Sequence, residues 1–179
     1  MDSPTAPLGP EPDDKDWTWV LERPCPDCGY DAAAVPAAGI GERIRAHVPT
    51  WTAALAAPDA AVRPSPQVWS VLEYGCHVRD VHLIFGRRLA AMLTQDDPLF
   101  DNWDQDATAV AERYWTQDPT TVAAELAAAA RGTADRFEAV GDGRWTRTGR
   151  RSNGSVFTVR TLGLYYLHDV VHHAHDIAS

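Results

Sequence analysis

The last segment of the chain carries four of its seven histidines, all between His168 and His175. On a helical wheel of 100° per residue, an apolar stripe surrounds His173, and Asp169 lies one turn earlier on the same face. A carboxylate and an imidazole at the i, i+4 spacing can reach one metal ion. The pair predicts half of a divalent-metal site, and the alternative for the same residues is a buried Asp–His hydrogen bond.

Two further histidines of this segment are second choices as ligands. On the same wheel His168 lies about 140° from His173, and His172 lies about 100° from it. These angles predict that both side chains lie on the flank of the helix or in solvent.

His77 is the candidate for a third ligand. It lies within the apolar stripe formed by Tyr74, Val78 and Val81 in an earlier helical segment, so it should face the bundle interior. His82 is about 140° away on that helix and should not. An isolated inward histidine is more often hydrogen-bonded in a core, so His77 indicates metal only together with the tail pair.

The run Cys25–Cys28 reads CPDC and has the C-x-x-C spacing of half a zinc site or of a redox pair. No second cysteine or histidine pair lies nearby in the sequence, and no strand precedes the run. We interpret it as a structural turn, with zinc and redox as the alternatives. The flanking aromatic residues Trp17, Trp19 and Tyr30 predict that this segment packs onto the rest of the chain.

Composition argues against several classes of function. The formal charge of −9 opposes a phosphate backbone, so nucleic-acid binding is not expected. No apolar run approaches the roughly 20 residues of a membrane span. Residues 1–16 lack the basic start and apolar stretch of a secretory signal, and three cysteines are too few for a disulfide framework. We therefore expect a cytoplasmic protein that does not contact membranes.

Four segments show the period of an amphipathic helix. The first runs from Ile40 to Leu55 and contains Pro49, where a kink is expected. The second opens with a capping-box pattern over Ser70–Glu73 and continues to Met92. The third starts at the Asp118–Pro119 cap, and the fourth is capped by Thr158. One apolar stripe on each segment predicts a helix bundle.

The segments between the helices have no helical period. Residues 96–117 predict a long, partly ordered connection with aromatic anchors, and residues 141–157 predict an extended loop or a short hairpin. At 179 residues the chain fits one domain with an appendage. We assign residues 1–35 to an N-terminal arm, partly disordered and containing the CPDC turn, and residues 36–179 to the bundle.

Two motifs carry a resemblance to a known family. The run Trp69–His77 resembles, position for position, the W-S-x-x-E-x-x-x-H signature that opens the second helix of the DinB-like family. The tail Asp169–Ile177 is similar to the last-helix motif of the family, in which His or Glu is followed four residues later by His. The resemblance implies an all-α fold, a DinB-like four-helix bundle with long connections and a short N-terminal arm.

In this register the resemblance implies that the metal ligands are His77, Asp169 and His173. One departure is that aspartate, with its shorter reach, stands where the family usually has His or Glu. His168 or His172 could replace it if the helix were rotated. Members of the family bind zinc or nickel through three protein ligands and leave the remaining positions open.

The family includes mycothiol-dependent and bacillithiol-dependent S-transferases. The resemblance therefore implies that the metal binds a low-molecular-weight thiol such as mycothiol as its thiolate, for attack on an electrophilic substrate. We assign no catalytic side chain. The competing class is a non-catalytic bundle with a structural metal or a polar core, which acts by dimerising or by binding a partner. The sequence leaves monomer and homodimer open.

Several arginines flank the last helix and could orient a carboxylate of either substrate. The two that we single out are Arg150 and Arg151, with Arg147 and Arg160 nearby. The alternative, which we favour for the group as a whole, is a solvated loop face.

Overall fold

The computed structural model describes residues 16–178, which form five α-helices and three short strands. The sequence predicts that the arm is partly disordered, and residues 1–15 of the arm lie outside the described residues. The helices are α1 (Ile40–Leu55), α2 (Val71–Thr94), α3 (Gln105–Ala111), α4 (Pro119–Glu138) and α5 (Val159–Asp176). The strands are β1 (Leu99–Phe100), β2 (Thr148–Arg151) and β3 (Val156–Thr158).

Side-chain caps determine where three of the long helices begin. At the start of α2, the backbone N–H of Glu73 donates to Ser70 Oγ at 3.2 Å, and the N–H of Ser70 donates to Glu73 Oε2 at 2.9 Å. Asp118 caps α4 ahead of Pro119, and Thr158 caps α5. Each cap satisfies backbone donors that the first turn leaves unpaired. The predicted starts of these helices are confirmed.

The four long helices pack as a bundle in which α4 contacts α1 and α2, and α5 contacts the same two helices. Each buries one apolar face, and each fully buried large apolar side chain contributes roughly 1.5–3 kcal/mol. The residues at the centre are Ile44, Trp51, Leu72, Leu89, Leu126, Phe137, Leu162 and Tyr166. The predicted all-α four-helix bundle is confirmed. Within residues 16–178, no helix has the length and apolar character needed to cross a membrane.

The connections contain more regular structure than the sequence indicates. The one between α2 and α4 includes β1, α3 and a 3-10 turn, and it is anchored by the fully buried Tyr114. The predicted hairpin forms from β2 and β3, and β1 adds to it in parallel with β2. Gly149 permits this pairing, because a Cβ there would lie 2.6 Å from the Phe100 ring.

The described part of the N-terminal arm, residues 16–35, lies against α5. The Tyr30 hydroxyl donates to the backbone oxygen of Leu164 at 2.8 Å, and the Trp17 ring packs on His168 with ring centroids 5.5 Å apart. The predicted packing of the arm onto the bundle is confirmed. The arm therefore covers one face of the helix that carries the tail histidines.

Candidate metal centre

The structure brings together the three residues that the sequence singles out as ligands. Nε2 of His77, on α2, lies 3.5 Å from Oδ1 of Asp169, on α5, and Nε2 of His173 lies 3.8 Å from the same oxygen. Two ligand atoms bound to one zinc ion at the tetrahedral angle lie roughly 3.4 Å apart. The three donor atoms are therefore spaced as ligands of one ion, and we call this cluster the central site.

Two residues of the central site, His77 and Asp169, have buried polar atoms without a hydrogen-bond partner among residues 16–178. His77 is fully buried, and neither of its ring nitrogens has a hydrogen-bond partner in the described part of the chain. Asp169 Oδ1 is likewise buried and unpaired among residues 16–178. An unsatisfied buried polar group costs about 1–3 kcal/mol. A cation between these atoms would remove that cost, so the residues fit a divalent metal.

Asp176 fixes the orientation of His173. Its Oδ2 lies 2.9 Å from His173 Nδ1, and because a carboxylate only accepts, Nδ1 carries the proton and donates. The lone pair of His173 is then on Nε2, the nitrogen that faces Asp169. Histidines that ligate a metal usually donate their other N–H in this way.

Aromatic rings enclose the imidazoles. Trp103, from the connection between α2 and α4, stacks on His77 with ring centroids 5.3 Å apart, and Trp69 packs on His77 at 5.6 Å. The Tyr74 ring lies 5.3 Å from that of His173. No pattern in the sequence indicates the position of Trp103, because its contact with His77 depends on the path of a long connection.

The protonation states at neutral pH suit a cation. Burial opposes ionisation of Asp169, but the electrostatic attraction of the neighbouring His77 and His173 rings outweighs it and holds the pKa of Asp169 at about 2. Burial lowers the pKa of His77, which keeps that imidazole neutral. A carboxylate with neutral imidazoles is the form in which these residues bind a metal.

The central site opens into a cleft of about 720 Å³ whose walls include Asp169, His173 and Arg151. Arg150 is not at the cleft, because it pairs with Asp97 at 2.9 Å on the exposed side of β2. The structure therefore brings one of the two predicted substrate-binding arginines to the site. It also adds Arg88, which the sequence did not single out.

The structure buries two of the histidines, His82 and His168, that the helical wheels turn away from the bundle interior. His168 is 4% exposed and His172 is half-buried, both on the side of α5 covered by Cys25 and Cys28. His82 is 1% exposed and hydrogen-bonds to the Tyr166 hydroxyl. The prediction of an outward His82 was wrong, because adjoining helices cover that face of α2. His168 lies on the flank of α5, one of the two predicted alternatives, but the arm excludes it from solvent.

The CPDC run forms the expected turn, closed by a hydrogen bond from the Gly29 N–H to the Cys25 oxygen at 2.9 Å. Gly29 has φ of +72°, a conformation that glycine adopts without strain. No histidine pair lies near the two cysteines in the sequence, but the folded chain brings one to them. His168 and His172, remote in sequence, lie beside them.

Comparisons with known proteins agree with this architecture. The model of the DinB superfamily matches residues 40–177. The fold is similar to that of YfiT from Bacillus subtilis, described as a probable metal-dependent hydrolase with an unusual four-helix bundle topology. That match has a TM-score of 0.66 and 20% identity, and it covers 79% of this chain and 83% of YfiT. A comparison with curated proteins gave no significant match. The family model covers all four long helices, and the chain belongs to the DinB superfamily.

Proposed function

We propose that this protein is a metal-dependent thiol S-transferase whose zinc or nickel ion is held by His77, Asp169 and His173. The observation that carries the proposal is the convergence of three donor atoms, spaced as metal ligands, at the wall of a cleft. Two of these atoms, His77 Nε2 and Asp169 Oδ1, are buried without a hydrogen-bond partner among residues 16–178. Three protein ligands are typical of a catalytic metal, whereas a structural zinc is usually closed by four. Imidazole nitrogen suits both zinc and nickel.

When bound, a divalent cation lowers the pKa of a thiol that it ligates, so that the nucleophilic thiolate exists near neutral pH. The residues of the chain prepare the site for that chemistry. Asp169 supplies the negative charge, Asp176 holds His173, and the Trp103 and Trp69 rings shield His77 from water. In the transfer, the sulfur electron pair forms a bond to the electrophilic carbon, the thiol proton passes to solvent, and the leaving group departs with its bonding pair.

Two arginines support a substrate that carries an anionic group. Arg88 contacts the Asp101 backbone oxygen and the rings of Phe85 and Phe100, and Arg151 contacts the amide oxygen of Asn102. Both line the cleft, and none of these partners is a carboxylate. Burial and the neighbouring Arg151 lower the pKa of Arg88 to about 10, which leaves it charged at neutral pH. A carboxylate of the thiol or of the electrophile would complete this pair.

A thiol screen tests the function. Untagged protein loaded with zinc or nickel is offered mycothiol, bacillithiol, glutathione and cysteine, each with a generic electrophile. We expect transfer with at least one thiol, and a loss of about two orders of magnitude or more in His77→Ala, because a Lewis acid contributes several kcal/mol. His175→Ala, on the exposed side of α5, is the matched control and should retain the rate. Equal rates for wild type and His77→Ala would contradict the proposal.

The second candidate is a metal-dependent hydrolase, which is favoured by the similarity of fold to YfiT. The same three ligands would then activate water in place of a thiol. Hydrolysis of an ester or amide without any thiol, lost in His77→Ala, would support this candidate. Thiol transfer without such hydrolysis would support the S-transferase. Loaded protein that catalyses neither reaction would point to the non-catalytic bundle.

A further inference from the structure

A second cluster of metal-ligand side chains lies on the face of α5 that the arm covers. It comprises Cys25 and Cys28 from the turn in the arm, and His168 and His172 from α5. One ligand atom from each residue lies within 4.8 Å of the others. The two histidines are spaced i, i+4, which turns both imidazoles toward the arm. The sequence spacing, C-x2-C with H-x3-H, is that of closed structural zinc sites.

The distances between the ligand atoms and the burial of His168 and Cys25 are better explained by a bound ion than by ordinary core packing. Cys25 Sγ lies 3.7 Å from His172 Nδ1, and a sulfur and a nitrogen on one tetrahedral zinc lie roughly 3.6 Å apart. His168 is 4% exposed, and its Nε2 is buried without a hydrogen-bond partner among residues 16–178. Cys25 is 2% exposed. A cation would satisfy the histidine nitrogen, which nothing else in the described structure does.

We propose that Cys25, Cys28, His168 and His172 form a second metal site, closed by four protein ligands and occupied by zinc, and we call it the arm site. Two thiolates with two imidazoles favour zinc over magnesium or calcium, which prefer oxygen. Binding releases the two thiol protons to solvent. Because all four tetrahedral positions belong to the protein, the role of this ion is structural.

A redox pair accounts for fewer of the observations. A disulfide between Cys25 and Cys28 would leave His168 Nε2 buried and unpaired, as it is now. The cysteine pair alone is ambiguous, and the metal is favoured by the histidine pair beside it, in which His168 Nε2 is buried without a partner among residues 16–178.

The arm site would hold in place the helix that carries the central site. His168 and His172 each precede a central-site ligand by one residue, so the two ligand pairs lie about 100° apart on α5. The arm also forms part of the cleft wall through Asp16, Trp17 and Asp27. A zinc ion between arm and helix would therefore fix both the rotation of α5 and the position of that wall.

Cobalt substitution tests the arm site without reference to activity. Cobalt bound by two cysteine thiolates gives a sulfur-to-metal charge-transfer absorption, which oxygen and nitrogen ligands do not give. We expect this band in the untagged full chain and in His77→Ala, and its loss in the Cys25→Ser/Cys28→Ser variant. His175→Ala, a histidine exposed on the same helix, is the matched control and should keep the band. Zinc content should fall by about one equivalent in the double variant.

Alkylation of the wild-type chain covers the case in which the double variant does not fold. Mass spectrometry should show Cys25 and Cys28 protected from a thiol reagent in the zinc-loaded protein and labelled after a chelator is added. The proposal is overturned if cobalt produces no thiolate band and both cysteines react equally fast with and without chelator. Isolation of a Cys25–Cys28 disulfide from protein kept in reductant would also overturn it. Loss of the band in His77→Ala alone would assign the thiolate signal elsewhere and would contradict the arm site.

Discussion

At the scale of single residues, Asp169 is the member of the central site that departs from the usual family pattern of His or Glu. Its Oδ1 lies within 3.8 Å of Nε2 of both His77 and His173, so the shorter side chain reaches the position between the two helices. Rotation of α5 is not needed to complete the cluster. His168 and His172 belong to a different cluster, because they lie beside Cys25 and Cys28 and not beside His77.

Asp176 links the two sites and gives the first prediction. Its Oδ2 accepts from His173 Nδ1, and its Oδ1 lies 3.8 Å from His172 Nε2. Asp176→Asn should weaken metal binding at the central site by about 10- to 100-fold, because a carboxylate that accepts a hydrogen bond from a ligating imidazole holds that ring in place. Competition with a chromophoric chelator measures the affinity. Asp106→Asn, another carboxylate of the cleft, is the control, and equal effects of the two changes would count against this role.

The second prediction separates two adjacent arginines. Arg151 lines the cleft, whereas Arg150 pairs with Asp97 on the other face of β2. Arg151→Gln should raise KM for a carboxylate-bearing substrate by about 10- to 100-fold, the value of roughly 1.5–3 kcal/mol for a hydrogen bond to a charged group. Arg150→Gln should leave KM unchanged. Metal content should be the same in both variants, and a similar KM in both would refute the assignment.

The residues of the central site could be predicted from sequence because the information is local. The i, i+4 spacing places Asp169 beside His173, and the apolar stripe of α2 turns His77 inward. The arm site could not be found in this way. Cys25 and His172 are 147 positions apart, and no period in either segment says that the arm lies on α5.

At the scale of elements, α5 is the helix on which both sites depend, and side chains of α1 and α4 pack directly against its Gly163. A Cβ added at Gly163 would lie 2.7 Å from the Phe137 ring and 2.8 Å from Ile40 Cδ1. The glycine therefore sets how deeply α5 lies in the bundle. Any displacement of α5 would move Asp169 and His173 relative to His77 on α2.

Gly163→Ala should consequently lower the free energy of unfolding by about 1–3 kcal/mol, the usual cost of overpacking a core. Gly132→Ala, in α4, is the matched control, since a Cβ there would meet no atom within 4 Å. That change should instead stabilise the protein by about 0.5–1 kcal/mol, because alanine favours the helix interior. Urea denaturation measures both. Equal free energies of unfolding for the two variants would show that the packing around Gly163 accommodates a Cβ without cost.

The elements differ in how far sequence predicts them. Ser70, Asp118 and Thr158 mark helix starts because a cap bonds to backbone only a few residues away. The pairing of β1 with β2 joins Leu99 to Arg150, and it depends on the folded bundle. Neither strand is long enough to show a period of its own, so the sheet could be predicted only as the local hairpin of β2 and β3.

At the scale of the whole molecule, the bundle encloses imidazoles that affect its stability as pH changes. Burial is the main reason that the pKa of His82 falls from 6.5 to about 3. The unfolded chain therefore binds a proton at His82 near pH 6.5, whereas the folded chain does so only near pH 3. The contribution of His82 to the free energy of unfolding is therefore fully present above pH 6.5. It is lost as the pH falls from 6.5 toward about 3, by up to about 1.4 kcal/mol per pH unit.

His82→Asn removes this titration while keeping a group that can hydrogen-bond to Tyr166. Urea denaturation at a series of pH values should show a shallower loss of stability below pH 6.5 in the variant than in wild type. His175→Asn should follow wild type, because His175 is exposed. If wild type and His82→Asn lose stability in parallel, the buried histidine is not the source of the pH dependence.

Anomalous scattering tests the central claim most directly, because it reports where an ion lies as well as whether one is bound. The map is measured from crystals of untagged protein, at the absorption edge of the metal that elemental analysis identifies. We expect a peak between His77 Nε2, Asp169 Oδ1 and His173 Nε2, with the side toward the cleft free of protein ligands. No peak there in protein saturated with zinc and nickel, or a peak enclosed by four protein ligands, would contradict the account.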